Sequence, residues 1–478
     1  MTVSLIWFVR DLRLHDNAAL AAAVSASNTV YAVYCAQTAA ELNPRQQRFL
    51  SAALGHLRVA LGKADATLSV LDGDPAVALA AASRRLGATA IYCARSFDRI
   101  ECEREQSVRA QLARLGIELR SVGANVVLEP EAVAEKKQAE GEGYRVFPPF
   151  YRAWKAVAVP RPLAAATPNG RDPDMGPLAD PGAPREGPDA SETGAREALA
   201  RFASARLADY GANAEFPGRA ATSALGVQLR FGLLSARTVY HAVAERMART
   251  WTLAQERLSM GAFLRRLALR DFYTHLSFFS PEIHEEPLQK KMAGFAASHE
   301  ARFVEAWTRG MTGYPLVDAA MRQLHKEGHV HGRAAVVAAS FCTADLGLDW
   351  RIGRDVWMRE LLEADEALCV GNWQRIAGIG SDQAAYPRIY NPVRQAQLFD
   401  AQATYVRRYV AELAKLPTAA ALAPWAIGEA QQTEFGFFTP SSYPRPIVDH
   451  EEAARAFLSR YQAYRAQAAA GGFAAERG

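Results

Sequence analysis

The run "VPRPLAAATPNGRDPDMGPLADPGAPREGPDASETG" (159–194) constrains this chain more than any other stretch, because neither a helix nor a central strand survives in it. Proline lacks the N–H that a helix or a sheet ladder requires, and glycine loses the most conformational entropy on ordering. The run therefore predicts a linker and divides the chain in two. Before it, short β-rich runs alternate with helical stretches: "SLIWFVR" (4–10), "TVYAVYC" (29–35), "TLSVLDG" (67–73), "ATAIYCA" (88–94) and "ELRSVGANVVL" (118–128). Between them, Arg45–Leu61 and Glu103–Leu115 repeat apolar residues at helical spacing. That order predicts a parallel sheet covered by helices on both faces. Gly73, Asp74 and Pro75 read as strand exit, helix N-cap and first helical residue. No G-x-G-x-x-G follows any strand, so a nicotinamide-dinucleotide site has no support.

After the linker the β-rich runs nearly vanish. Amphipathic stretches follow one another at Arg237–Arg249, Leu253–Phe279, Leu316–His325, Gly332–Asp345, Gly353–Ala364 and Ala403–Leu413, which predicts a second, helical unit. The tail "AQAAAGGFAAERG" reads as a fraying end. A length of 478 residues calls for two or three cores. Half of the residues are hydrophobic and 22% are charged, the balance of a globular protein rather than a disordered or membrane one. The apolar run Leu5–Val9 gives way at once to Arg10, Asp11 and Arg13, so neither an export signal nor a spanning segment is expected, and a cytoplasmic location follows. The five cysteines, Cys35, Cys93, Cys102, Cys342 and Cys369, form no CxxC pair and no Cys/His metal spacing, so no metal is expected. A formal charge of +4 tolerates a polyanionic partner without requiring one.

Three stretches carry chemistry. In "TSALGVQLRFGLLSA" (222–236), Thr222 and Ser223 form a polar turn ahead of Leu225, and Gly232 and Ser235 precede a helix. Hydroxyls and free N–H groups at such starts suit phosphate oxygens, although plain helix caps use the same residues. Trp350 and Trp373 lie in the helical half; buried indoles are usually core, but beside a flavin they can relay single electrons. The run "DEALCVGNWQRIAG" (365–378) sets Cys369 four residues before Trp373 and six before Arg375.

Seven blocks in order, up to about residue 415, resemble the DNA photolyase/cryptochrome family: "IWFVRDLRLHDNAAL" (6–20), "YRVFPPFYRAW" (144–154), "TSALGVQLRFGLLS" (222–235), "LRDFYTHL" (269–276), "TGYPLVDAAMRQL" (312–324), "ASFCTADLGLDWRIG" (339–353) and "YPRIYNPVRQAQLFD" (386–400). The resemblance implies an α/β fold with an N-terminal parallel-sheet, Rossmann-like antenna domain (1–130), a connector (131–200) and a C-terminal all-helical FAD-binding domain (201–470). It implies that Tyr210, Thr222, Ser223 and Leu225 line the FAD phosphates and ribose, that Arg270 neutralises the diphosphate, and that Asp365 lies near the isoalloxazine. Cys369 takes the position facing the flavin N5, where a thiol hydrogen-bonds more weakly than an amide. Trp373 and Trp350 match the inner two members of a tryptophan electron chain. The outer member matches Ala297, so the chain stops early or leaves through Trp307 or Phe295.

The resemblance also exposes departures. The Glu and two Trp that hold a cyclobutane dimer match Arg266, Leu269 and Arg375, and losing two stacking platforms of roughly 1–3 kcal/mol each weakens dimer binding. Arg266 and Arg375, with Arg333 and Arg388, keep cations for DNA. A Met beside the dimer matches Val336, and a backbone-contacting Arg matches Ala214. The buried Arg–Asp pair beside the isoalloxazine matches Ala335 and Glu363, which leaves Glu363 expected without a partner. Of the paired His of six-four repair only His331 aligns, and His329 stands where Trp is frequent. The expected protein is thus an FAD-binding, blue-light electron-transfer flavoprotein with weakened or lost dimer repair. The alternative is a working deoxyribodipyrimidine photolyase for UV-damaged DNA with an Arg-rich pocket. A second antenna chromophore of unnamed identity and a monomeric state are also expected.

Overall fold

The computed structural model describes residues 2–39, 42–137, 142–178, 187–249, 251–295, 297–381 and 386–475. Two compact units emerge. The first comprises Met1–Tyr144, Pro148–Gly211 and Ser223–Pro281, and the second comprises Arg145–Phe147, Ala212–Thr222 and Glu282–Gly478. Residues 223–281 group with the sheet in the first unit.

In the first unit, β1 (Val3–Trp7), β2 (Thr29–Cys35), β3 (Leu68–Leu71), β4 (Ala90–Cys93) and β5 (Glu118–Ser121) form one parallel sheet of order β3-β2-β1-β4-β5. Register runs Val3↔Thr29 and Ser4↔Ala90 on the two sides of β1. Leu5, Trp7, Val33 and Ile91 pack on one face of the sheet with Leu79 and Val108 from the crossover helices Pro75–Leu86 and Arg99–Ala113. Asp74 caps the helix Pro75–Leu86 by accepting from the N–H groups of Ala76 (2.9 Å) and Val77 (3.2 Å), as its place before Pro75 predicts. The expected fifth strand is cut short. Gly123 turns the chain at φ 66°, a Cβ there would lie 2.6 Å from Ala18 Cβ, and the N–H groups of Val127 and Leu128 bond the Asp271 carboxylate instead of a ladder.

The proline-rich run holds no helix or strand among its described residues before Ser191, which caps the helix Glu192–Ala205. It is not a free linker, however. Gly170 N donates to Val30 O (2.8 Å), Val70 N donates to Met175 O (2.8 Å), and buried Asp172 accepts from Arg85 (2.6 and 2.7 Å) and Ser69 (2.8 Å). The run is a strap laid along β2 and β3. Glycine is required where it passes closest, because a Cβ at Gly170 would stand 2.5 Å from the Tyr31 ring.

Among its described residues the second unit is helical apart from one isolated bridge, Ser298↔Leu348. Its helix Pro315–Glu327 buries Leu316, Val317, Met321 and Leu324. Asp318, fully buried at the start of that helix, accepts from Thr312 N (2.8 Å), Thr312 Oγ1 (2.6 Å), Gly313 N (3.1 Å) and the Tyr443 hydroxyl. The stretch expected as one helix from Gly332 is α-helical only over Gly332–Ser340 and continues as a π-turn, Phe341–Asp345. The next helix is Trp350–Glu360 rather than 353–364, because Asp349 caps it by accepting from Arg351 N (2.8 Å). The stretch 403–413 resolves into Thr404–Tyr409 and a 3-10 turn, Ala411–Leu413. Residues of the Ala/Gly-rich tail up to Ala475 belong to the helix His450–Ala475, and the last three lie outside the described residues.

Candidate functional site

In the first unit, the helix Ala254–Phe279 carries Arg266, Leu269 and Arg270. Arg266 is exposed and Leu269 half-buried. Arg270 is half-buried and its Nη1 donates to Asn125 O (2.7 Å); among the described residues no carboxylate lies within ion-pair distance of it. Its neighbour Asp271 is fully enclosed and accepts from Trp154 Nε1 (2.9 Å) as well as from Val127 and Leu128, and burial raises its pKa to about 6. Tyr210 meets Phe263 edge-on (5.2 Å, 87°). The polar turn is held by Ser223 Oγ, which accepts from Leu225 N (3.4 Å), while Ala224 is left-handed at φ 55° and Leu225 is buried. A non-glycine residue in that region stores roughly 1–3 kcal/mol, so packing defines this turn tightly. Thr222 and Ser223 are half-buried. Ser235 serves as the cap the sequence predicts, accepting from Thr238 N (2.9 Å) and donating to the Asp16 carboxylate.

In the second unit, Asp365 caps the helix Glu366–Ile376 by accepting from Leu368 N (3.2 Å). Asp365, Leu368, Asn372 and Arg375 form a half-exposed stripe at i, i+3, i+7 and i+10 on a helix whose other residues, except half-exposed Glu366, are buried. Buried Cys369 flanks that stripe. The odd sequence around the thiol is therefore a helix with one open edge. Trp373, further round, is fully buried with its ring edge-on to Trp357 (4.8 Å, 69°) and Trp307 (6.0 Å, 79°). Gly353 lies against the Trp373 ring so closely that a Cβ would stand 2.1 Å from Cη2. The indole N–H groups of Trp357 and Trp373 have no acceptor among the described residues, whereas Trp307 Nε1 donates to Ala338 O (3.0 Å). Trp350, 5% exposed, opens the helix Trp350–Glu360 with the guanidinium groups of Arg351 (5.3 Å) and Arg354 (5.2 Å) over its ring. Trp357 escaped the sequence reading. Its spacing of seven from Trp350 and four from Gly353 puts all three near one helical face, a signal the sequence did contain.

The structure corrects one expectation. Glu363 is not alone: His329 Nδ1 bonds its Oε1 at 2.8 Å, and the carboxylate raises the imidazole pKa. Close by in sequence, His331 is buried as the N-cap of Gly332–Ser340, its Nδ1 accepting from Arg333 N (3.2 Å), and burial lowers its pKa to about 4. Arg333 is not an open cation. Its Nε donates to Glu215 (3.0 Å), its Nη1 to Gln395 (3.3 Å), and the guanidinium covers the Phe399 ring (4.2 Å). Arg388 is exposed. Among the described residues no cluster of three His, Cys, Asp or Glu could hold a metal, and no helix is long and apolar enough to cross a membrane.

Comparison with known proteins decides the family. The family model described as DNA photolyase matches residues 4–169, and that described as the FAD binding domain of DNA photolyase matches residues 263–463. The deoxyribodipyrimidine photo-lyase of Agrobacterium fabrum is 33% identical over 477 residues, 96% of this chain and 97% of that protein. The chain belongs to the DNA photolyase/cryptochrome family of flavoproteins. Curated relatives at 31–33% identity carry the same photo-lyase name. The crystal structure of a bacterial class III photolyase from Agrobacterium tumefaciens superposes with a TM-score of 0.86 at 31% identity, covering 97% of this chain and 98% of that one. The Synechocystis cryptochrome gives a TM-score of 0.87 at 27% identity, covering 97% and 99%. The photolyase two-domain fold, a parallel-sheet domain followed by a largely helical region, is thus that of this chain.

The donors on the chain suit FAD. Arg270 offers most of its five N–H groups to a diphosphate, since its bond to Asn125 O occupies one. The hydroxyls of the 222–223 turn and the open edge beside Cys369 are groups of the kind a phosphate–ribose chain and a flat ring require.

Proposed function

We propose that this photolyase relative is a deoxyribodipyrimidine photo-lyase that binds FAD and repairs UV-induced dimers through an arginine-rich contact set. The observation that carries this reading is the full-length similarity to proteins of that name. Reduced FAD supplies a light-excited electron donor. On this reading Arg270 neutralises the FAD diphosphate, Tyr210, Thr222, Ser223 and Leu225 enclose its phosphate and ribose part, and Asp365, Cys369 and Glu363 border the ring. Trp373 and Trp350 would supply electrons to a bound flavin. Arg266, Arg375 and Arg388 hold DNA phosphates or stack on bases through their guanidinium planes, and Arg333 contributes less because Glu215 already neutralises it. A second chromophore would lie at the carboxyl ends of β1 and β4, where strand order reverses and ligands of such sheets bind. There Arg10 is held by Asp98 (2.9 Å) and Glu101 (2.6 Å). The protein works as a cytoplasmic monomer.

A second reading, blue-light electron transfer with repair weakened or lost, is favoured by the family resemblance, which matches Arg266, Leu269 and Arg375 to the acid and both aromatic platforms of a dimer pocket. Equilibrium binding separates the two. The first reading expects tighter binding of an oligonucleotide bearing one thymine dimer than of its undamaged twin, a preference lost in Arg375→Ala. Equal affinities would remove the first reading.

A further inference from the structure

We propose that the cavity beside Trp350 in the second unit is a docking site for a small anionic reductant that delivers electrons to that indole. The inference rests on the proposed flavin photochemistry and adds the electron source. The cavity has a volume of about 50 Å³ and is lined by Trp350, Ala297, Phe295, Phe457, Arg351 and Arg460. At about 10–15 Å³ per water, it accommodates a molecule of four or five heavy atoms but no aromatic metabolite. Ala297 contributes only a methyl group to the lining, and Trp350 lines the same cavity, so a bound reductant lies against the indole itself.

The charges select the ligand. Asp349 also lines the cavity, but it is committed to Arg351, accepting from Arg351 N and Nη1 at 2.8 Å each. Arg354, whose guanidinium also lies over Trp350, is paired with Asp355 (2.8 Å). Arg460 is different. It is exposed, lies 5.9 Å from the Phe295 ring, and has no carboxylate within ion-pair distance among the described residues. The cavity thus carries one uncompensated cation, and Phe295 and Phe457 give it apolar walls. A short carboxylate with a reducing sulfur matches both features.

The step balances as a one-electron transfer. Illumination would move one electron from Trp350 to a bound flavin, leaving the indole oxidised by one electron. The sulfur returns that electron, its proton passes to water, and two sulfur radicals pair as a disulfide.

The test uses the FAD-loaded protein with mercaptoacetate and neutral mercaptoethanol as probes. In the dark, mercaptoacetate should change the Trp350 fluorescence saturably, with no change in Trp350→Phe, and about fivefold more tightly than mercaptoethanol, the scale of one exposed ion pair. After a flash, the decay rate of the tryptophan radical should saturate with mercaptoacetate. Arg460→Gln should equalise the two thiols, and Ala297→Trp, which fills the cavity, should abolish saturation. A strictly linear dependence, equal for both thiols and unchanged in Ala297→Trp, would overturn the inference. If illumination produced no tryptophan radical, the flavin reading would fail, while the dark binding measurement would still decide whether the cavity is a site.

Discussion

Glu363 and His329 show how much a single contact alters a reading. The sequence gives an acid whose usual cation is an alanine, Ala335, and nothing local announces a partner 34 positions away. The acid raises the imidazole pKa, so Glu363→Gln should lower it, measurable by following the His329 ring protons through a titration. The buried histidines act in the opposite sense. Burial holds His275 and His331 near a pKa of about 4, below the ordinary 6.5. Unfolding then takes up protons between the two values, so each contributes stability that is complete above 6.5 and is lost as pH falls toward 4. The full loss is roughly 3 kcal/mol per histidine. His275→Gln should flatten the acid limb of urea midpoints between pH 6.5 and 4 relative to the unchanged protein; an identical slope would contradict the assignment. Asp271 runs the other way: with its pKa raised to about 6 from 3.8, it lowers stability as pH rises through that window. The comparison must therefore be made variant against parent rather than on one pH profile.

At the scale of elements, what the sequence made legible was local. Asp74 before Pro75, Ser235 before its helix and the apolar strand runs each announce themselves within a few residues, and each stands where expected. What was not legible depends on partners far along the chain. The strap 169–176 looks like a solvated linker until Val30, Val70 and Arg85 are brought beside it, and the missing half of the fifth strand is taken by Asp271. The contact between the helices Trp350–Glu360 and Glu366–Ile376 depends on Gly353, whose missing side chain lets the Trp373 ring close on the backbone. Gly353→Ala should cost roughly 1–3 kcal/mol by overpacking, read as a lower thermal midpoint. It should also alter the Trp373 emission, since the ring must shift away from its contact with Trp357. A variant of unchanged stability would mean that the ring has room to move.

For the whole molecule, motif order identified the family and the fold class, while the compact units, in which residues 223–281 group with the sheet, had no local signal in the sequence. The contacts of the candidate site residues were not legible in the sequence. The helix Glu366–Ile376 that carries Cys369 and Trp373, capped by Asp365, was not among the helical stretches read from the sequence, and the neutralised Arg333, the paired Glu363 and the ring contacts of Trp357 likewise required the fold. Arg270→Ala should lower the FAD content of the purified protein, because the diphosphate loses its cation; undiminished flavin absorbance per protein would shift that role elsewhere. The central claim is repair through an arginine-rich contact set. Its most direct test is light-dependent restoration of an oligonucleotide carrying one thymine dimer, with the bound flavin fully reduced chemically so that Ala297 in the electron chain has no influence. Restoration well above the dark control, lost in Arg375→Ala, is the expected result. A dimer that survives illumination with FAD bound and reduced would contradict the account and leave electron transfer without repair.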